Sequence, residues 1–307
     1  MNLRYNGTDI TDSVNIIDAS VTDRCGGKSD SMDIMFSDTK KLWRQWNPAK
    51  GDILEVSQDG FSSGAMYIDE FEVFNGKYNI KSKSIPINSR TKKTNGWENI
   101  RFKQIMSQLS SEVGLQLKTY GIEDHLYDRM DMINRTNLEF MNERCILEGY
   151  SLKITDKKAI IYSEKALENY APVKEISEDS LIGNYKFKTI SSGIYSSCLV
   201  EYFASNNIIK YKFDPKNPPI GDVLKVNLRA NNIGEAERYS KNLLRYNNKM
   251  ETVGAFSIKQ DSTLAAGNTI AIKDIGSFSG KYFIYLINHN FTNGKSYLKA
   301  RRVLEDY

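Results

Sequence analysis

The segment GNTIAIKDIGSFSG, residues 267–280, repeats the pattern of the segment GDILEVSQDGFSSG, residues 51–64. Each begins with glycine, places two aliphatic residues at alternate positions, and then has two further glycines at the same spacing. Alternating aliphatic residues bounded by glycines are typical of a strand followed by tight turns. The glycines align without a gap, Gly51, Gly60 and Gly64 with Gly267, Gly276 and Gly280.

The match continues beyond both segments. Each copy has two more apolar residues at the same spacing and then reaches an Asn-Gly pair, which favours a type I′ hairpin turn. The second copy is two residues longer before this pair, and an even insertion preserves the alternation of side chains along a strand. The matched residues are Ile68, Phe71 and Asn75-Gly76 in the first copy (residues 51–76), and Ile284, Ile287 and Asn293-Gly294 in the second copy (residues 267–294). We therefore predict a duplication.

The middle of the chain has a different period, because its apolar residues recur at helical spacing. One predicted helix has Asn95 and Glu98 at N-cap and N3 spacing and ends at Gly114. A second begins with a capping box formed by Thr136 and Glu139. The apolar face of the first helix consists of Phe102, Ile105, Leu109 and Val113.

These patterns predict a mainly β fold with an α+β insertion. We expect a small antiparallel β-barrel over residues 1–91, an α+β domain over 92–168, and a second β-barrel with one helix over 169–307. In the last of these, a hairpin is predicted around Asn206-Asn207. The predicted helix is IGEAERYSKNLLRYNN, residues 233–248.

Composition restricts the class of protein only broadly. The chain has 307 residues, a net charge of +4 and three cysteines. Three widely spaced cysteines indicate reduced, buried thiols rather than a disulfide framework. No secretory signal or membrane-spanning run is apparent, so we expect no membrane insertion. The mild positive charge neither requires nor excludes a nucleic-acid partner.

The sequence contains little that could form a chemical site. His125 and His289 have no Cys, Asp or Glu at metal spacing, so no metal site is predicted. The segment CGGKSD, residues 25–30, is not a phosphate-binding loop, because Thr22 occupies the position of its first glycine. We interpret this segment as a flexible hairpin tip, and we predict no catalytic or cofactor-binding residue.

Several stretches resemble one known family, the baseplate hub proteins of contractile phage tails. These include the late control gene D family and the hubs of defective Bacillus prophages, whose architecture also forms the base of type VI secretion spikes. The resemblance covers most of the chain and is weakest over residues 92–168. In the N-terminal part it rests on SDSMDIMFSD, LWRQW, KGDILEV and SGAMYIDEFEV, and in the C-terminal part on IGEAERYSKNLLRYNN, GAFSIKQ, LAAGNTIAI and SGKYFIYLINHNF.

The resemblance implies two tail-tube-like barrels in each chain and a ring of three chains. Such a ring presents six similar faces to a hexameric tail tube and threefold symmetry to a spike, and a chain that matches both must offer its interface twice. The implied partners are the tail tube protein, the central spike protein, and baseplate wedge or tape-measure proteins, with DNA passing only in transit. The implied location is the baseplate of a virion, bacteriocin or other contractile injector, assembled in the bacterial cytoplasm.

Two alternatives remain open at this stage. The first is a tail-associated peptidoglycan hydrolase, for which the paired carboxylates Glu139 and Glu143 are the candidates. The second is a module that binds cell-wall carbohydrate through residues 92–168. Glu139 is better explained by the capping box and Glu143 by solvent exposure, so a structural role is favoured.

Overall fold

The computed structural model describes residues 1–204 and 207–305. The N-terminal part consists of short strands and one short helix, as its β-branched and aromatic residues between turn-forming residues predict. The elements are β1 (Asn2–Tyr5), β2 (Thr8–Asp9), β3 (Asn15–Arg24), β4 (Ser31–Ser37), α1 (Leu42–Trp46), β5 (Ile53–Gln58), β6 (Phe61–Ser62), β7 (Met66–Phe74) and β8 (Lys77–Lys83).

The middle part mixes helices and strands around a core of its own. Among the described residues, β9 pairs only with β11, and β10, β13 and β12 form a separate sheet in that order. The elements are β9 (Lys93–Arg101), α2 (Phe102–Glu112), β10 (Gln116–Tyr120), β11 (Leu126–Arg135), α3 (Asn137–Leu147), β12 (Tyr150–Thr155), β13 (Lys158–Ser163) and α4 (Glu164–Glu168).

The C-terminal part contains two groups of strands with separate cores. β17, β16 and β18 form a sheet covered by α5, and the other strands belong to the large sheet described next. The elements are β14 (Lys174–Ser177), β15 (Lys186–Thr189), β16 (Tyr195–Ala204), β17 (Asn207–Phe213), β18 (Asp222–Asn227), α5 (Ile233–Asn248), β19 (Thr252–Lys259), β20 (Thr269–Lys273), β21 (Gly280–Asn290) and β22 (Lys295–Arg302).

Strands from both ends of the chain form one continuous sheet. Its order is β15-β19-β22-β21-β3-β4-β8-β7-β5-β1-β2, with β14 and β20 attached beside β21 and β6 beside β5. The predicted mainly β fold is thus confirmed. The N-terminal and C-terminal strands do not form two separately closed barrels by backbone pairing within the described ranges. The edge of β3 that faces away from β4 pairs with β21 and so joins the two sets of strands.

The boundary predicted for the first helix is wrong. The residues from Asn95 to Arg101 form the end of β9 instead of a helix start, and α2 begins at Phe102. The reason is a tertiary contact: β9 pairs with β11, which buries Trp97 and Ile100 against the core. Local propensity cannot anticipate a partner strand that lies farther along the chain.

Other local predictions are confirmed. The Thr136 hydroxyl accepts a hydrogen bond from the Glu139 backbone, and the Glu139 carboxylate accepts one from the Thr136 backbone, which completes the capping box. α5 spans the whole predicted segment, residues 233–248. Asn206, at the turn of the predicted hairpin between β16 and β17, lies outside the described residues.

A buried network of ion pairs links strand β22 of the large sheet to helices α4 and α5. Arg301 of β22 is 1% exposed and donates hydrogen bonds to Glu164, at 2.9 Å, and to Glu168. Arg245 of α5 donates to Glu168 at 2.6 Å, and Lys249 donates to Glu164 at 3.1 Å. These contacts connect α4, α5 and β22 at one point.

Candidate assembly interface

The two copies found in the sequence have the same turn geometry. In each, a glycine amide donates to the isoleucine carbonyl of the adjacent strand, and the amide of that isoleucine donates back to the residue after the glycine. These bonds are Gly51 N to Ile68 O (2.8 Å) and Ile68 N to Asp52 O (2.8 Å) in the first copy, and Gly267 N to Ile284 O (2.8 Å) and Ile284 N to Asn268 O (2.9 Å) in the second.

The strand register also coincides. Ile53 pairs with Tyr67 in the first copy, and the matched residues Thr269 and Phe283 pair in the second. Each copy then has a register shift at the same place in its next pairing, between Ile68 and Glu70 and between Ile284 and Leu286. A β-bulge inserts one unpaired residue into a strand, and both copies have such an interruption at matched positions.

The turn residues have the backbone conformation that their sequence predicts, with one difference. Asn75 and Gly76 both have positive φ, 46° and 76°, as a type I′ turn requires. Of the corresponding pair in the second copy, Gly294 has positive φ and Asn293 does not, because a longer loop joins Asn290 to Lys295. The remaining glycines of the pattern all have positive φ: Gly51, Gly60, Gly64, Gly267, Gly276 and Gly280.

The two halves of the large sheet meet where β21 pairs antiparallel with β3, which we call the internal junction. Its register places Asn288 opposite Thr22 and His289 opposite Val21. Asn288 Nδ2 donates to Thr22 Oγ1 at 2.8 Å. The His289 ring is fully buried, bonded to Ser296 Oγ at 2.9 Å and to the Leu264 carbonyl at 3.1 Å.

Comparison by sequence alone identifies no relative: no family model matches the chain, and no curated protein matches it. Solved structures do match. A 43 kDa tail protein of prophage MuSo2 from Shewanella oneidensis has a TM-score of 0.74 at 11% identity, over 98% of this chain and 97% of that one. A tail protein from Neisseria meningitidis has a TM-score of 0.77 at 9% identity, over 98% and 95%.

The chain has the fold of phage tail proteins. An E. coli component of the type VI secretion system, described as structurally similar to the T4 tail proteins gp27 and gp5, also shares it, with a TM-score of 0.66 at 10% identity over 99% of this chain and 78% of that one. The resemblance to tail hub proteins is therefore confirmed at the level of the fold. At these identities the match concerns the fold alone.

Within this tail-protein fold, the two carboxylates proposed for a hydrolase have structural partners. Glu139 completes the capping box of α3, as described above. Glu143 forms an exposed ion pair with Arg135 at 2.9 Å. A general acid needs a buried or otherwise perturbed environment that raises its pKa, and hydrogen bonds from the Thr136 backbone instead lower the pKa of Glu139.

The histidines have structural partners as well. His125 Nε2 lies 3.4 Å from the Glu148 carboxylate, which Tyr127 and Arg238 also contact. Among the described residues, no group of three or more His, Cys, Asp or Glu side chains could hold a metal ion. Likewise, no helix in the described ranges is long and apolar enough to cross a membrane.

Residues 25–30 connect the antiparallel strands β3 and β4, so the predicted hairpin is confirmed, but its tip is packed against another part of the chain rather than free. The Gly27 amide donates to the Leu152 carbonyl at 2.8 Å, and a side chain at Gly27 would collide with Asn142. Asp30 is buried beside Lys153, with 3.7 Å between their charged atoms. The segment is therefore held against the middle part of the chain, a contact that has no local signal in the sequence.

Proposed function

We propose that this protein is the hub of a contractile tail, a homotrimer that joins a hexameric tail tube to a trimeric spike. The observation that carries the proposal is the repeated register of the two copies, which share pairing, bulge and turn hydrogen bonds. On this proposal the two copies arose by duplication. The tail-protein fold supports a structural role in a tail and agrees with this assignment.

The physical argument concerns symmetry. A sixfold ring can be matched by three chains only when each chain presents two equivalent surfaces. Two copies with the same strand register present similar arrangements of backbone groups. Three chains would therefore present six similar faces on one side, while the parts that are not repeated retain threefold symmetry.

The proposed partners follow from this position in the particle. The tube protein would contact the repeated faces, the spike protein the opposite side, and wedge or tape-measure proteins the periphery or the channel. DNA would pass through without specific recognition. The protein would be assembled in the bacterial cytoplasm and act in the baseplate of a phage, bacteriocin or other injector as a structural component rather than an enzyme.

The test is the native mass of the purified protein, measured by light scattering over a range of concentrations, followed by binding to assembled tail tubes. We expect three times the 35.0 kDa of one chain, and attachment to the tube end. A chain that stays monomeric at high concentration and does not bind tubes would contradict the proposal.

A further inference from the structure

The duplication makes it possible to locate the contact between chains, on the basis of the proposed function above. At the internal junction, residues 286–290 of β21 pair with β3. The matched residues of the first copy are 70–74 of β7. These residues pair with β8 on one side, and on the other side they have no backbone partner within the described part of the chain.

Side-chain exposure shows that this edge of β7 lacks a cover. Ile287 and His289 are 0% exposed, because β3 and its surroundings cover them. The matched residues Phe71 and Val73 are 38% and 47% exposed. An edge strand that offers unpaired backbone groups and apolar side chains is a template for pairing with another strand.

The second copy has a matching free strand in β15. Val21 of β3 pairs with β4, and Phe187 of β15 pairs in the same way with β19. β4 and β19 correspond to each other, because β4 pairs with β8 and β19 pairs with β22, and β8 and β22 are the last strands of the two copies. β15 is the terminal strand of the large sheet, and its outer edge has no backbone partner within the described ranges.

The charges on the two free edges are complementary. The exposed residues of the β7 edge include Glu70 and Glu72, and those of β15 include Lys186 and Lys188. Transferring the register of the internal junction places Glu72 opposite Lys188, where Asn288 and Thr22 are in hydrogen-bond contact at 2.8 Å. Opposite charges at directly paired positions stabilise antiparallel strands.

We infer that residues 70–74 of β7 pair antiparallel with β15 of a second copy of this chain, in the register of the internal junction. The register places Val73 opposite Phe187 and Phe71 opposite Thr189, so the partner strand covers the exposed apolar residues. Each chain has one edge of each kind, which makes the contact head-to-tail. In a head-to-tail assembly, both edges of every chain are paired only when the chains form a closed ring.

Charge reversal tests the register. We expect Glu72→Lys and Lys188→Glu each to weaken self-association at least about tenfold, since each places like charges opposite one another. The double variant restores the opposite pair, and its association should return to within about threefold of the wild type. A restored double variant also excludes misfolding as the cause of the losses. Glu98→Lys, an exposed glutamate on β9, is the matched control and should have no effect.

Cysteine cross-linking tests the geometry. Directly opposite residues of antiparallel strands have Cα atoms about 4.5–5.5 Å apart, within disulfide range. Glu72→Cys with Lys188→Cys should therefore yield a covalent trimer on oxidation, whereas Glu72→Cys with Lys186→Cys is displaced by two residues and should cross-link poorly. The native thiols Cys25, Cys145 and Cys198 are buried and give little background.

The outcomes separate this inference from the proposed function. A wild-type trimer that is insensitive to both charge reversals and is not cross-linked by the matched pair would overturn the strand pairing and leave the trimeric hub intact. A wild-type monomer without cross-links would overturn both. Cross-linked chains longer than a trimer would contradict ring closure by three chains.

Discussion

Removal of the Arg301 side chain should destabilise the whole C-terminal part of the protein. In Arg301→Met, Glu164 and Glu168 remain buried but lose the guanidinium that contacts both of them. Removing one partner of a buried ion pair typically costs about 3–5 kcal/mol. Because Lys249 still donates to Glu164 and Arg245 still donates to Glu168, we expect a cost near the lower end of this range. The Arg301 guanidinium also lies 4.6 Å from the centre of the Phe283 ring, and this contact is lost as well.

The effect should depend on pH. Although burial alone would raise the pKa of Glu164, the charges of Lys249 and Arg301 lower it to about 2 from its ordinary value of 4.5. A lowered folded-state pKa contributes stability above pH 4.5 that is lost as the pH falls towards 2, here about 3 kcal/mol. The variant should lose part of this dependence, because the charge of Arg301 is removed while that of Lys249 remains, so its deficit relative to the wild type should shrink in acid.

The assay is urea unfolding followed by far-UV circular dichroism at pH 7 and pH 3. Arg229→Ala is the control, because it breaks an exposed ion pair with Asp131 and should cost at most about 1 kcal/mol. A cycle that combines Arg301→Met with Glu164→Gln should show a strong positive coupling. If Arg301→Met costs no more than Arg229→Ala, the buried network does not hold these elements together.

Three further predictions concern single residues. Gly51→Ala and Gly267→Ala should each cost about 1–2 kcal/mol in urea unfolding, and by similar amounts, because both residues have positive φ, 95° and 105°; clearly unequal costs would contradict equivalent turns. Burial raises the pKa of Asp30 to about 7 from 3.8, so the free energy of unfolding should fall as the pH rises from about 4 to 7. Asp30→Asn should flatten this dependence of stability on pH, and an unchanged dependence would contradict the raised pKa. Gly254→Ala should displace β15 and weaken self-association in light scattering, since the new Cβ would lie 2.4 Å from the Phe187 ring; unchanged association would argue against β15 as an interface.

The parts of the fold that depend on local chemistry could be predicted from the sequence. The glycines of the two copies mark turns with positive φ, and the Asn75-Gly76 pair defines a hairpin, because few residues tolerate that backbone conformation. The capping box at Thr136 has a similarly local cause. These signals are sufficient to predict the matched turns of the two copies and the start of α3.

Features that depend on distant partners could not be predicted in this way. Asn95 and Glu98 have the spacing of a helix N-cap and N3 pair, and only the pairing of β9 with the distant strand β11 makes these residues part of a strand. The pairing of β3 with β21 joins segments from opposite ends of the chain, and no local pattern specifies it. The candidate interface between chains could not be predicted either, because the charged edges of β7 and β15 can be aligned only with the register of the internal junction. The predicted domain limits at residues 91 and 168 stay predictions.

The internal junction has a further consequence for how the ring would come apart. The proposed ring contains two kinds of strand junction, which alternate around it: the internal junction within each chain and the pairing of β7 with β15 between chains, and we call each of them a seam. The internal seam forms when the chain folds, so dilution cannot open it. The seams between chains are bimolecular and, with glutamate facing lysine, should loosen as salt increases. A load that exceeds the strength of the ring would therefore split it at the three seams between chains and release intact protomers, each still carrying both tube-like faces.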